Sequence, residues 1–490
     1  MKTMKQRLPI LLIFLLLAFP QLAGAEPKAS GFLSGSGEEE SWMGTYFHGK
    51  KIGFTYSKLS WDPTSVTVST RVMIKLNSQG IDQSTSFTQK TYLSPDLEFK
   101  SFTLLQEIMG NRQSVEGQNI GNQLQYRVQG KGFDRTKSIK IPKNFAPSSS
   151  YLLNILRDGL TVGKKGRYRI FLEPYQMMSN LDYEVLRKEV FTYQGKAFDT
   201  FVVVQRISGI ESTIWVGADG TVFKEVTNQG LESRKEPQKM ASYMDGKGLS
   251  VSNMITMSLV KPNREIKNPG KVRHIKMKIS ELSSPAMIPS DHRQKTLQSY
   301  PQGKKSYVST IQIDSESEKP FSSATLPFKT IPDPIYLEDS LEVQSKHGMI
   351  RALARELSRG EKDAWKLSRR INQWVFSNLK KELVDTVTAL DALQQRRGEC
   401  QSHTYLFTAI ARASGIPTKI VNGLVYSTEY NGFLYHAWPE VYVGEWRALD
   451  PTFGQDIVDA THIKLTEGKG DAILKLMEFV GRIKIELLDN

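Results

Sequence analysis

The stretch Arg397-Gly398-Glu399-Cys400, leading into Leu406-Phe407-Thr408-Ala409-Ile410-Ala411-Arg412-Ala413-Ser414-Gly415-Ile416-Pro417, decides how the rest of the chain is read. Leu406, Ile410 and Ala413 recur at spacings of four and three, which places them on one face of a helix. Gly415 and Pro417 stop that helix: glycine accepts the left-handed turn, and proline cannot continue the ladder. Cys400 therefore falls at the helix N-terminus. Unpaired backbone N–H groups and the positive end of the helix dipole favour a thiolate over a thiol there. Cys400 is also the one cysteine of the chain. With no intramolecular disulfide partner it reads either as a small packed hydrophobe or as a reactive group, and its position selects for reactivity.

The segments that follow have strand character. Thr418 to Tyr426 is rich in β-branched and apolar residues, Phe433 to Val443 contains His436, and Glu445 to Asp450 ends in an Asp-Pro pair. A strand carrying His beside a strand carrying Asp can hold an imidazole between thiol and carboxylate. Asp450 would fix the tautomer, and the other ring nitrogen would face the sulfur. Pro439 lies inside the histidine strand, so that strand is expected to be bulged or at an edge on one side. Upstream, Ala364, Leu367, Ile371, Trp374 and Val375 predict an amphipathic helix.

Three motifs in register resemble the bacterial transglutaminase-like superfamily. Thr388-Ala389-Leu390-Asp391-Ala392-Leu393 with Arg397-Gly398-Glu399-Cys400 and Leu406 to Pro417 is similar to its nucleophile motif. Tyr435-His436-Ala437-Trp438-Pro439-Glu440-Val441 is similar to its histidine motif, and Trp446-Arg447-Ala448-Leu449-Asp450-Pro451-Thr452-Phe453-Gly454 to its aspartate motif. The resemblance covers roughly residues 340 to 470. It implies a papain-like α+β core with Cys400 as nucleophile, His436 as general base and acid, and Asp450 as orienting carboxylate. It further implies attack on an amide carbonyl to give a thioester, resolved by water or an amine, on a peptide, protein or peptidoglycan-stem substrate. No cofactor and no metal is expected. Gln401-Ser402 departs from the family's frequent Asn-Glu, whereas His403 is retained. The Cys400 N–H is the natural first oxyanion donor, and Gln394, Gln395 and Trp374 are candidates for the second.

Rival readings use the same residues. Cys400, His403, His436 and Asp450 have ligand types that suit zinc. His403 otherwise supports or packs near the thiol. His462, in Asp459-Ala460-Thr461-His462-Ile463, serves structure or the substrate cleft, and Trp438 and Trp446 are core or cleft wall. The alternative function is a non-catalytic envelope binding module in which the fold has outlived its chemistry.

At the other end, Lys2, Lys5 and Arg7 precede an apolar run from Leu8 to Phe19 and the small residues Ala23-Gly24-Ala25. This pattern predicts a signal peptide over residues 1–25 and export, into a bacterial periplasm. The run is short of the about 20 apolar residues that span a bilayer, so no stable membrane span is expected after its removal. The formal net charge of +14 favours contact with an anionic envelope polymer, and the absence of a recognisable module argues against nucleic acid.

Between these ends, residues 30–250 read as a β-rich N-terminal region of one or two antiparallel units. Val66, Val68, Thr70, Val72, Ile74 and Leu76 alternate with mostly polar neighbours. Turn signals fall at His48-Gly49 and Asp219-Gly220, and a short helix is expected from Ser148 to Asp158. Residues 251–335 read as a β/Pro-rich connection with a boundary at Ile331-Pro332-Asp333-Pro334, and residues 336–490 as the transglutaminase-like domain. The fold class is α+β.

Overall fold

The computed structural model describes residues 33–489 except 34, 79–80, 109, 245–248, 251–258, 304–305, 318–320, 383–387 and 469–470. The expected signal segment, residues 1–25, lies outside the described residues. Among the described residues no helix is long and apolar enough to cross a membrane. The chain is α+β, and it divides between Val251 and Ser252 into two compact units.

The N-terminal unit is one 16-stranded sheet. Successive antiparallel hairpins run outward in both directions from the pairing of Gly37–Phe47 with Leu231–Lys235, ending on one side in the parallel pair of Lys165–Leu172 with Phe145–Pro147. The turn at His48 and Gly49 has positive φ at both residues, the geometry that matches strand twist in a two-residue hairpin. At the other predicted turn Asp219 accepts the Thr221 N–H at 2.9 Å. In Ser65–Ser78 the residues Val66, Val68, Val72 and Ile74 are buried, and Arg71 and Lys75 are exposed. The buried face is not wholly apolar. Ser41 lies opposite Ser57, Ser57 opposite Thr70 and Thr70 opposite Gln89, a row of buried polar side chains across four strands. The expected helix forms over Tyr151–Arg157, with Leu152 and Ile155 buried.

The C-terminal unit holds two antiparallel four-stranded sheets, a two-stranded parallel pair and the longer helices. One sheet has the order Gln294–Pro301, Tyr307–Asp314, His274–Leu282, Lys484–Leu487. The stretch read from sequence as a connecting region therefore belongs to this unit, and the division falls near residue 252 rather than at Ile331 to Pro334. The physical reason is ladder pairing across about 200 residues: Met277 lies opposite Leu487 and Ile279 opposite Ile485, all four buried. The prolines punctuate this region without preventing two eight-residue strands.

The second sheet has the order Trp446–Ala448, Gly432–Tyr442, Thr418–Ser427, Ile463–Glu467. The helix Cys400–Ala413 packs on it and against the helices Gly348–Leu357 and Ala364–Asn378. Leu406, Phe407, Ile410, Ile371, Leu367, Val375 and Val441 form a shared core with no exposed surface. Each such aliphatic side chain contributes about 1.5–3 kcal/mol on burial. That packing fixes the nucleophile helix relative to the histidine strand. Pro439 does sit at a partial edge, since Trp446–Ala448 pairs only with Glu440, Val441 and Tyr442.

Candidate active site

Glu399 caps the helix Cys400–Ala413 with extended backbone, its carboxylate accepting the Gln401 N–H at 3.2 Å. Gly415 closes the far end at φ +83°, and the Ile416 N–H returns to Ala411 O at 2.9 Å. Cys400 is thus the first helical residue, as the sequence predicts. The first turn of this helix is tied to the histidine strand through one residue. Thr404 Oγ1 donates to Ala437 O at 3.0 Å, and the Ala437 N–H points at the Cys400 sulfur. The residue preceding Ala437 is His436.

His436 Nε2 bonds Asp450 Oδ2 at 2.8 Å, with both side chains buried. Its other nitrogen, Nδ1, is buried and makes no hydrogen bond among the described residues. The imidazole is held flat between aromatic rings: Phe453 at 5.1 Å and Trp438 at 6.1 Å, both tilted 22° from it. Trp438 itself fills an apolar cluster with Val421, Ala448 and Val458. Gly423 makes room for this arrangement, because a Cβ there would lie 1.9 Å from Ile463 O and 2.8 Å from the Trp438 ring.

Asp450 is shared. Its Oδ2 also meets His462 Nε2 at 3.1 Å, while Oδ1 accepts the Thr452 N–H at 2.7 Å. His462 Nδ1 in turn lies 3.3 Å from Asp459 Oδ1. Burial opposes charge on Asp450, but the His436 and His462 imidazoles outweigh it and hold the carboxyl well below the usual range. Burial likewise opposes charge on His462. The Asp459 and Asp450 carboxylates overcome it and raise the imidazole to about 9. His436 goes the other way, with burial and the neighbouring His462 charge depressing it despite Asp450.

The thiol departs from the sequence expectation. Burial, and then the adjacent Glu399 carboxyl 3.4 Å from the sulfur, push Cys400 up, whereas the Ala437 N–H and Lys381 pull it down. Burial wins because the side chain is only 2% exposed. Glu399, buried beside it, is itself pushed up to about 7. Burial thus disfavours charge on both Cys400 and His436, while Asp450 and His462 are shifted toward their charged forms.

Other sequence candidates find other work. His403 turns back along its helix, with Nδ1 2.8 Å from Glu399 O. Gln394 donates to the Met349 sulfur at 3.7 Å, Gln395 accepts from Arg397 at 3.2 Å, and Trp374 lies under the Arg396 guanidinium at 4.7 Å. None of the three is brought to the thiol by these contacts. Trp446 packs edge-on to Tyr336 and Tyr442. The side chains at this site with metal-ligand spacing are His436, Asp450 and His462, within 4.8 Å of one another. That set omits Cys400 and His403, so the zinc quartet considered from sequence is not assembled. Phe453, Glu399 and Lys381 were not singled out by sequence reasoning. Phe453 sits inside the aspartate motif and Glu399 next to the cysteine, which is a signal of place; Lys381 stands in a Lys-Lys pair with no such signal.

Comparison with known proteins bears on this site. Residues 351–451 match the model of the Transglutaminase-like superfamily. Over 83 residues, 16% of this chain, the sequence is 32% identical to the kyphoscoliosis peptidase of Mus musculus. The chain spans 13% of the length of that relative. Among solved structures, a proposed cysteine protease from Cytophaga hutchinsonii aligns with 44% of this chain and 86% of its own, at 18% identity and a TM-score of 0.32. A β-barrel-like protein of unknown function from Brucella abortus aligns with 40% of this chain and 94% of its own, at 9% identity and a TM-score of 0.33. The C-terminal third of this chain thus carries a domain of the transglutaminase-like superfamily, and Cys400, His436 and Asp450 lie in that domain.

Proposed function

We propose that the protein is an exported thiol enzyme that cleaves or transfers amide bonds through a thioester at Cys400. The observation that carries this reading is the buried His436–Asp450 pair at 2.8 Å, with Nδ1 left free of any hydrogen bond among the described residues, next in the strand to Ala437, whose backbone acts on the helix-terminal Cys400. The similarity to a peptidase over 83 residues supports the same class of chemistry.

Each residue then has one task. His436 Nδ1 accepts the thiol proton, and the sulfur forms a C–S bond to the amide carbonyl carbon as the carbonyl π pair moves to oxygen. The Cys400 N–H donates to that oxyanion. Collapse re-forms the carbonyl and breaks the C–N bond, and the His436 imidazolium returns its proton to the departing nitrogen. Water or an amine then attacks the thioester, with His436 again as base. Asp450 holds the tautomer and supports the imidazolium. Because burial raises the thiol and lowers the imidazole, charge separation is deferred until substrate occupies the site.

Substrate class and location are part of the proposal. The leader-like N-terminus and the net charge of +14 point to peptide, protein or peptidoglycan-stem amides in a bacterial periplasm, with the β-rich N-terminal unit docking on an anionic envelope polymer. The test is intact-mass analysis after incubation with envelope-derived peptides. A hydroxylamine-sensitive acyl adduct on the wild type, absent in Cys400→Ala, is the expected result. If no adduct forms and Cys400 reacts with iodoacetamide at the same rate in His436→Ala, the triad is not functional. The buried thiol would then belong to a binding module.

A further inference from the structure

The reaction scheme above gives no task to Lys381, whose ammonium nitrogen is buried. Lys381 lies on the two-residue strand Lys380–Lys381, paired in parallel with Arg397–Gly398 so that Lys381 stands opposite Gly398. The Lys380 and Glu382 N–H groups donate to Arg396 O and Gly398 O, both at 2.9 Å. This ladder anchors Lys381 beside the residues that lead directly into Cys400.

Its ammonium Nζ is buried and has no hydrogen-bond partner among the described residues. The nearby acid Glu382 is engaged by Lys380 at 3.0 Å. The Lys381 Nζ lies 4.4 Å from the centroid of the Phe453 ring, the same ring that stacks on His436. Such a contact helps a cation persist out of water. The acidic groups that act on it are Asp450, Cys400, Glu429 and Glu399. In return it acts on Cys400, His403 and His436. A buried, unpaired ammonium is unfavourable in a resting protein. It becomes favourable where negative charge forms during reaction.

We propose that Lys381 is a catalytic residue of the acyl-transfer reaction, its ammonium stabilising first the Cys400 thiolate and then the oxyanion of the reacting carbonyl. With the Cys400 N–H it supplies the second oxyanion donor that Gln394, Gln395 and Trp374 do not. The inference rests on the acyl-transfer reading, and its ligand is the carbonyl oxygen of an amide or ester. Burial lowers the Lys381 ammonium from its ordinary value, so its charge, and the rate it supports, falls away at a pH below the usual lysine range.

The experiment uses the chain's single cysteine. Thiolate absorbance is titrated against Cys400→Ala as blank, in wild type, Lys381→Met, Lys381→Arg and His436→Ala. Acylation of Cys400 by p-nitrophenyl acetate is followed across pH in the same proteins. In Lys381→Met the thiol is expected to titrate about one pH unit higher and the acylation rate to fall about 10²–10³-fold. Lys381→Arg should keep the thiol near its wild-type value and lose the alkaline fall in rate, because a guanidinium does not titrate there. Wild-type titration and wild-type acylation in Lys381→Met would overturn the proposal. Should that variant fail to fold, Lys381→Arg decides: a displaced alkaline limb supports the role and an unmoved limb overturns it. The acyl-transfer reading fails separately, if His436→Ala acylates as fast as wild type.

Discussion

Glu173 and Glu225 in the N-terminal unit, and Asp450 and Asp459 around the active site, are all buried carboxyl groups. Their neighbours set them apart. Glu173 is met by the Ser148 hydroxyl, and Glu225 by the Gln205 amide at 3.2 Å and by Ser212. Neutral donors of this kind do not offset the loss of water, and burial pushes both acids up to about 7. Asp459 is buried too, but His462, Thr461 and Gln455 bring it down to about 2, and Asp450 is held low by two imidazoles. Both units bury polar groups at some cost. Around Asp450 and Asp459 that cost is offset by ionised partners, which is the arrangement that moves protons. In the polar row of the sheet the hydroxyls of Ser41, Ser57 and Thr70 are buried with no hydrogen-bond partner among the described residues.

The largest expected effect breaks this comparison at its strongest point. Cys400→Ala should abolish acyl-adduct formation, and Asp450→Asn should slow it by about 10²–10⁴-fold while the fold persists. Adduct formation in Asp450→Asn within a few-fold of wild type would mean that the ionised aspartate is structural, as in the other unit.

Next come two stability profiles, each worth on the order of a few kcal/mol by linkage. An acid raised when folded favours the native state while protonated. Glu173 and Glu225 should therefore cost stability progressively from about pH 4.3 up to about 7. A raised histidine contributes fully below about pH 6.5, and His462 loses that contribution as pH climbs through about 9. Denaturant titrations across pH should show Glu225→Gln flattening the first window and His462→Gln the second. Windows that do not respond to their own variant would sink the assignment.

A smaller effect is expected from Gly423→Ala. Its new Cβ meets Ile463 O and the Trp438 ring, and overpacking of this kind costs about 1–3 kcal/mol. Because Trp438 stacks on His436, cysteine reactivity should fall along with the melting temperature. The smallest effect belongs to the exposed Arg127–Asp134 pair of the N-terminal sheet. Arg127→Ala should leave melting unchanged within error, as expected for a solvated ion pair. A measurable loss there would mean that charge matters in the N-terminal unit after all.

Much of the site was legible because its signals are local. The helix after Cys400, its Gly415 stop, the strands of Thr418–Ser427 and Gly432–Tyr442, and the hairpin turns at His48 and Asp219 depend on residues within one or two turns of each other. The protonation state of the thiol was not legible. A helix N-terminus argues for a thiolate, and burial with Glu399 at 3.4 Å argues harder against it. The His462 contact with Asp450 and the Lys381 position were hidden for a related reason. A lysine in a Lys-Lys pair, or a histidine twelve residues beyond an aspartate, carries no mark of what it will face.

The domain division shows the same limit on a larger scale. Residues 251–335 read as a connection, yet the strand His274–Leu282 within them pairs with Lys484–Leu487, about 200 residues further along the chain. By itself the sequence determined the element types, the helix-terminal cysteine and the order of Cys400, His436 and Asp450, because periodicity and capping act over a few residues. Tertiary structure alone decided which buried groups share a carboxylate, which lose water and which strands close the sheet. Those outcomes depend on distances between segments far apart in the chain, and electrostatics in a dry interior is set by such distances.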